Sequence, residues 1–182
     1  MGQKGFYLDM NTCISCHTCQ IACNDINNLE VGTLFREIHE FEGGGFPKPW
    51  AYAFSMSCNH CADPKCVKNC PTGSMSKRAD GIVVHDDAKC IGCKLCTWSC
   101  PYGAPKYIEK TGKVGKCQFC YQLIDQKQNP ACVDACPMRA LEFGELDDLR
   151  KKYGGTADIK GLPDSGITHP SILLNPTSDA KK

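Results

Sequence analysis

The chain has 182 residues, which is enough for one ordinary domain or two very small ones. Its 21 basic and 20 acidic side chains nearly cancel, which excludes the basic field of a nucleic-acid-binding protein and argues against an acidic tail. The 42% of residues that count as hydrophobic include 16 cysteines, so the remaining apolar side chains predict a thin core.

The N-terminal segment has no apolar run that could serve as the hydrophobic part of a signal peptide, and no twin-arginine pair lies near it. Further along, no apolar stretch approaches the roughly 20 residues that span a bilayer. We therefore predict no direct membrane span, and we expect partner proteins to bring the chain to any membrane where it acts.

The first predicted elements are a short strand at residues 5–9, a polar turn, and the first cysteine group. This group has the spacing C-x2-C-x2-C-x3-C and consists of Cys13, Cys16, Cys19 and Cys23. Its first two cysteines and His17 also match the C-x-x-C-H pattern of covalent haem attachment. Because the same cysteines open a longer iron–sulfur run, we interpret His17 as a loop residue.

Two β-rich stretches, residues 34–41 and 50–56, precede the second cysteine group, and the glycines at 43–45 are expected to end the first of them. The second group has a wider middle gap and consists of Cys58, Cys61, Cys66 and Cys70. Proline follows its last cysteine. Because proline favours the first helical position, residues 72–76 are predicted to form a short helical turn.

A strand at residues 81–85 and an acidic turn lead into the third group, which repeats the tight spacing: Cys90, Cys93, Cys96 and Cys100. The fourth group has the longest middle gap: Cys117, Cys120, Cys132 and Cys136. After it we predict a short helical turn at 138–141 and the clearest helix at 145–153, which is acidic at its start and basic at its end. From residue 155 the chain is polar and proline-spaced, so we expect an extended tail that lies against something or is partly disordered.

The spacing of the cysteines points to iron–sulfur chemistry. Three thiolates on one tight loop can bind three irons of a cubane, and the fourth cysteine of the run ligates the other cluster of a two-cluster module. Four such groups predict four 4Fe–4S clusters, screened by nearby lysines: Lys65, Lys89, Lys94 and Lys116. A disulfide framework or a pair of zinc ribbons fits less well, because triplets of closely spaced cysteines suit neither.

Several segments around these cysteines resemble one known family. They are CNHC at 58–61, CIGC at 90–93, CPYGAP at 100–105, CPMRAL at 136–141 and LRKKYG at 149–154. Together they resemble the iron–sulfur subunit of the dimethyl sulfoxide reductase family of molybdopterin oxidoreductases, from residue 5 to about 175. Some members replace a cysteine of the third group with tryptophan and hold a 3Fe–4S cluster there. This chain keeps all four cysteines.

The resemblance implies an α+β fold of duplicated bacterial-ferredoxin-like modules, with small sheets and short helices around the clusters. It nests the groups: one module is expected to span residues 1–48 and 105–154, the other 49–104, followed by the tail at 155–182. It implies four ligand sets: Cys13, Cys16, Cys19 and Cys136; Cys23, Cys117, Cys120 and Cys132; Cys58, Cys61, Cys66 and Cys100; Cys70, Cys90, Cys93 and Cys96.

The resemblance also implies a function. The chain would be a non-catalytic electron-transfer subunit that relays electrons between a large molybdopterin catalytic subunit and a membrane anchor subunit that reacts with quinone. It would associate with the membrane through these partners, on the extracytoplasmic face after export together with the catalytic subunit. The alternative is the same relay in a cytoplasmic hydrogenase or formate–hydrogen system.

Overall fold

Short strands and short helices alternate along residues 2–182, the part of the chain that this computed structural model describes. The strands are β1 (Lys4–Asp9), β2 (Glu37–Gly45), β3 (Lys48–Met56), β4 (Met75–Lys77), β5 (Val83–His85), β6 (Lys106–Ile108), β7 (Lys113–Gly115), β8 (Leu141–Glu145) and β9 (Ile172–Asn175). The helices are α1 (Thr18–Ile26), α2 (Lys65–Lys68), α3 (Leu95–Ser99), α4 (Tyr121–Asp125), α5 (Ala131–Asp134) and α6 (Leu146–Tyr153). The predicted α+β class, with small sheets and short helices, is confirmed.

A three-stranded sheet joins three distant parts of the chain in the order β8-β1-β9. Strand β1 is antiparallel to β8 and parallel to β9. Because neighbouring residues of a strand face opposite sides, Phe6 and Leu8 enter the main core, whereas Tyr7 packs with Leu149 of α6 on the other side. The predicted strand at the N-terminus and the predicted helix after residue 145 are confirmed.

The β-rich stretches at 34–41 and 50–56 form one long hairpin, β2–β3, paired from Glu37 opposite Met56 to Gly45 opposite Lys48. The expected break at the three glycines is wrong, because they continue the strand to the turn. A side chain at Gly43 would place its Cβ 2.3 Å from the ring of Trp50 on the opposite strand. Glycine is therefore used here for the room it leaves to an aromatic side chain.

Two small hairpins, β4–β5 and β6–β7, lie beside a minor core that consists of Cys66, Met75, Val83, Cys96 and Val114. The helical turns predicted at 72–76 and 138–141 are wrong, because β4 begins in the first segment and β8 begins at the end of the second. In both segments a buried residue, Met75 or Leu141, belongs to a paired strand: β4 pairs with the next strand β5, and β8 pairs with the distant β1. This tertiary pairing overrides the local preference that proline gives for a helical start.

The C-terminal tail lies against the chain's own core. Ile159, Leu174 and Ala180 are completely buried, and β9 adds a strand to the main sheet. The surface against which the tail was expected to lie is therefore part of the chain itself. The polar, proline-spaced composition of the tail did not predict this contribution to the core, because it comes from only four residues at 172–175, three of which bury apolar side chains.

Candidate metal centres

The third cysteine of each of the four groups is the second residue of a helix. These cysteines are Cys19 in α1, Cys66 in α2, Cys96 in α3 and Cys132 in α5. Helix α1 packs against α5, and α2 packs against α3. The helices therefore bring the first group to the fourth, and the second group to the third.

Four hollows in the structure are each lined by four cysteines. We call each set of four cysteines a quartet. Quartet 1 consists of Cys13, Cys16, Cys19 and Cys136, and quartet 2 consists of Cys23, Cys117, Cys120 and Cys132. Quartet 3 consists of Cys58, Cys61, Cys66 and Cys100, and quartet 4 consists of Cys70, Cys90, Cys93 and Cys96. These are the same four sets that the family resemblance implies, and all sixteen thiols are free.

The quartets follow one another through the molecule in numerical order. Burial is the largest cause that raises the pKa of Cys132 to about 11, of Cys58 to about 12 and of Cys66 to about 11. A smaller rise in each pKa comes from a thiolate of the adjacent quartet: Cys19 beside Cys132, Cys117 beside Cys58, and Cys96 beside Cys66. Each quartet therefore lies next to the one before it.

The cysteine loops contain several residues with left-handed backbone conformation. They are Ser15, His17, His60, Gly92, Lys94, Phe119 and Cys120. Left-handed residues in a turn aim successive backbone N–H groups into one concavity, which is the anion-binding arrangement found at many iron–sulfur sites. At Gly92 no other residue fits, because a Cβ would lie 2.1 Å from the carbonyl oxygen of Gly112.

The outer quartets reach the surface, whereas the inner ones are more enclosed. Cys16 of quartet 1 and Cys93 of quartet 4 are exposed. An exposed apolar side chain lines the hollow of each: Ile14 lines that of quartet 1, and Ile91 lines that of quartet 4. Exposed apolar residues around a functional site are typical of surfaces that bind a protein partner.

Sequence reasoning missed Arg36, which lines the hollow of quartet 2 and is only 1% exposed. Its Nη1 donates to the carbonyl oxygen of Ser55 at 3.3 Å and to the hydroxyl of Ser55 at 2.9 Å, and its Nη2 donates to the hydroxyl of Ser57 at 2.9 Å. The guanidinium also lies 4.7 Å from the centre of the Phe6 ring. The sequence did offer one signal of a buried arginine: Arg36 directly follows Phe35 in a segment predicted to form a strand.

Of the four lysines expected to screen the clusters, Lys116 is completely buried. Its ammonium donates to the carbonyl oxygens of Val83 and Cys117. The others hold partners nearer the surface: Lys65 pairs with Asp63 at 2.8 Å, Lys89 pairs with Asp86 at 3.3 Å, and Lys94 lies over the ring of Tyr107.

Two residues that line the hollows carry a buried donor that lacks an acceptor in the described part of the chain. Arg36, with its Nε, lines the hollow of quartet 2, and Asn59, with its Nδ2, lines the hollow of quartet 3. Buried N–H groups are almost always paired in folded proteins. The residues therefore fit a 4Fe–4S cluster, whose sulfur atoms accept hydrogen bonds and whose irons take four thiolates. Between residues 2 and 182, no three His, Cys, Asp or Glu side chains converge as a ready site for a single metal ion.

Comparison with known proteins agrees with this chemistry. A family model described as a 4Fe-4S dicluster domain matches residues 50–146, and a model described as a 4Fe-4S binding domain matches residues 10–27. The first match covers more than half of the chain. The chain therefore binds 4Fe–4S clusters.

Curated relatives match over nearly the whole length. The chain is 44% identical to the B subunit of the anaerobic dimethyl sulfoxide reductase of Escherichia coli (strain K12), over 98% of this chain and 91% of the relative. It is 45% identical to the B subunit of the same reductase from Haemophilus influenzae, over 100% and 93%. It is 34% identical to a formate dehydrogenase iron-sulfur subunit of Wolinella succinogenes, over 85% and 91%.

None of the helices within residues 2–182 is both long enough and apolar enough to cross a membrane.

Proposed function

The chain belongs to the family of iron–sulfur subunits of anaerobic dimethyl sulfoxide reductases, and from that premise we propose that it is a four-cluster electron relay without a catalytic site of its own. The motif resemblance to this family is thereby confirmed. Such a chain is an electron-transfer subunit of an oxidoreductase complex. The number of clusters, their ligands and the partners at each end are our proposal.

We assign one 4Fe–4S cluster to each quartet. The observation that carries this assignment is that four hollows are lined by four cysteines each, with every cysteine of the chain used once. Each quartet takes three cysteines from one group and the fourth from its partner group, as the motif chemistry requires. The packing of α1 on α5 and of α2 on α3 also supports the nested modules at 1–48 with 105–154, and at 49–104.

Each cluster supplies one-electron storage, and the chain's own residues decide where it lies. The thiolates would hold the irons, and the left-handed loop residues would direct backbone N–H groups toward the sulfur atoms of a bound cluster. The neighbouring cysteines Cys19 and Cys132, Cys117 and Cys58, and Cys66 and Cys96 support a single file of clusters from quartet 1 to quartet 4. Electrons would therefore enter at one outer quartet and leave at the other.

The two exposed apolar patches are suited to the two partners that the family implies. One includes the exposed Ile14, which lines the hollow of quartet 1, and the other includes the exposed Ile91, which lines the hollow of quartet 4. We propose that a large molybdopterin catalytic subunit covers one patch and a membrane quinone-reactive subunit covers the other. The chain would then lie at the membrane through its partners, on the extracytoplasmic face if it is exported with the catalytic subunit.

Anaerobic purification from the native cell tests this function. We expect on the order of 16 iron and 16 acid-labile sulfide per chain, and a pterin-binding chain that co-purifies. Stoichiometric zinc with little sulfide would overturn the four-cluster assignment. A nickel hydrogenase chain in place of the pterin-binding chain would favour the cytoplasmic hydrogenase alternative.

A further inference from the structure

Two fully buried cations lie among the quartets. Arg36 is 1% exposed and Lys116 is 0% exposed. Across the described residues, neither of them forms an ion pair with a carboxylate, although many other basic side chains do. Moving a charged group from water to a protein interior costs many kcal/mol unless an opposite charge compensates it. Something negative must therefore lie near each of these two side chains.

The negative groups around Arg36 are cysteines of quartets 1 and 2. Arg36 lines the hollow of quartet 2 together with all four of its cysteines, and the Ser55 hydroxyl that accepts from Arg36 lies 3.3 Å from the sulfur of Cys19 in quartet 1. The two terminal nitrogens are held by Ser55 and Ser57, so the side chain cannot turn away. Its remaining donor, Nε, is buried and has no acceptor in the part of the chain that the structure describes.

Lys116 occupies the corresponding place between quartets 2 and 3. It precedes Cys117 of quartet 2, and its ammonium reaches across to the carbonyl oxygen of Val83 in β5. Val83 in turn lines the hollow of quartet 3, together with Cys58 and Cys66. The ammonium is therefore close enough to quartet 3 to stabilise negative charge there.

From this geometry we infer that Arg36 and Lys116 are fixed counterions that raise the reduction potentials of the clusters in quartets 2 and 3, Arg36 acting mainly on quartet 2 and Lys116 mainly on quartet 3. The inference rests on the proposed ligand sets. A 4Fe–4S cluster with four thiolates is already negative, and each added electron makes it more so. Its potential depends on nearby charge, on hydrogen bonds to sulfur and on exposure to solvent.

The two cations explain how the enclosed middle of the relay can accept electrons. A buried cluster lacks the water that would stabilise added negative charge, so burial alone lowers its potential. Quartets 1 and 4 each include a solvent-exposed cysteine, Cys16 or Cys93, and water screens their charge. The inner quartets have a permanent positive charge instead. Arg36 and Lys116 thus keep the inner clusters from becoming a barrier between the outer ones.

The test measures midpoint potentials in the purified, cluster-loaded protein by redox titration followed with electron paramagnetic resonance. The variants Arg36→Met and Lys116→Met keep much of the side-chain volume but remove the charge. We expect the equilibrium constant for reduction to fall at least about tenfold, or about 59 mV for a one-electron couple, for quartet 2 and quartet 3 respectively. Variants of single cysteines identify which signal belongs to which quartet.

Three matched controls separate charge from shape. Arg36→Lys and Lys116→Arg retain a cation, and we expect them to change the same constants much less than the methionine variants do. Arg150→Met removes a cation from α6, where the side chain is 57% exposed, and should leave every potential unchanged. Unchanged potentials in fully loaded Arg36→Met and Lys116→Met would overturn the inference.

If a methionine variant loses iron, the charge-retaining variants decide. Wild-type iron content in Arg36→Lys beside a loss in Arg36→Met would support the counterion role, whereas equal losses would show that shape alone matters and would reject it. The iron and sulfide content of the wild-type chain tests the four-cluster assignment separately. A failure of this inference can therefore be told apart from a failure of the proposed function.

Discussion

The main core and the minor core hold their cysteines by different means. The main core packs Phe6, Phe119 and Leu174 with many other apolar side chains, and it includes buried cysteines of quartets 1, 2 and 3. The minor core, beside quartet 4, has five buried members, of which Cys66 and Cys96 are themselves cysteines. Apolar packing can maintain the first region, whereas the second has little besides its metal ligands to order it.

Composition predicted a thin apolar core, and the comparison shows which region of the molecule has one. The prediction fits the minor core, where two short hairpins cover few apolar side chains. It fails for the main core, because the stacked rings of Phe6 and Phe119 and the strand β9 add buried area that composition could not locate. We therefore expect metal removal and core mutations to act differently on the two regions.

The largest expected effect comes from deleting residues 163–182, which removes β9 from the main core. Burial of an aliphatic side chain contributes roughly 1.5–3 kcal/mol, so losing Ile172, Leu173 and Leu174 costs roughly 4–9 kcal/mol. That is comparable to the whole stability of a domain, about 5–15 kcal/mol. Circular dichroism during heating should show the cooperative transition lost or greatly lowered, and iron content should fall.

The matched control for this deletion removes Lys182 alone, an exposed residue, and should leave the thermal transition in place. A truncated chain that keeps its clusters and its transition, but no longer binds its partner subunits, would contradict this prediction. Such a result would instead mean that the tail lies mainly against a partner subunit.

Single substitutions compare the two cores directly. Leu174→Ala in the main core should lower the free energy of unfolding by about 2–5 kcal/mol, because it leaves a cavity at a fully buried position. Val114→Ala in the minor core removes less apolar surface and should cost roughly 1.5 kcal/mol. Denaturant unfolding of the cluster-loaded proteins, followed by far-ultraviolet circular dichroism, measures both values.

Iron chelation sharpens this second prediction. In the chelated protein Leu174→Ala should still destabilise residual structure, whereas Val114→Ala should have no measurable effect, because the minor core needs the ligation of quartet 4. Equal effects of Val114→Ala with and without iron would show that the minor core folds without its cluster.

Substitution of two cysteines of one group tests both the ligand exchange and the metal dependence of the minor core. Cys100→Ser should alter the paramagnetic signal of quartet 3, whereas Cys96→Ser should alter that of quartet 4. Because Cys96 is also part of the minor core, its substitution should reduce amide exchange protection in β4 and β5 by about a hundredfold, or about 2.8 kcal/mol. A Cys100→Ser change confined to quartet 4 would refute the exchange of the fourth cysteine.

The cysteine groups could be predicted because their chemistry is written in local spacing, and α6 because its charges and its glycine end are local too. The strands β4 and β8 could not, because their pairing with β5 and β1 depends on contacts outside each segment. The same holds for Arg36. A buried arginine is tolerated only where negative charge lies close to it in space. Its role depends on Cys117 and Cys132, which are far from Arg36 in the sequence.

The smallest expected effect concerns the ion pair that links the loop between β4 and β5 to α4. Arg78 donates through both terminal nitrogens to the carboxylate of Asp125, at 3.0 and 2.7 Å, and its guanidinium lies over the ring of Tyr121. These contacts join the side of the molecule that holds the minor core to the side that holds quartet 2.

Despite its two short hydrogen bonds, this pair is largely open to solvent, with side-chain exposures of 30% for Arg78 and 49% for Asp125. Exposed pairs contribute little, because water and salt screen them. A double-mutant cycle of Arg78→Ala and Asp125→Ala should therefore give a coupling that changes the unfolding equilibrium about fivefold or less. The contact of Arg78 with Asp80 at 3.2 Å is present with or without Asp125, so the cycle cancels it. A coupling of about a hundredfold that persists in high salt would contradict this prediction, because it would mean that solvent and salt do not screen the pair.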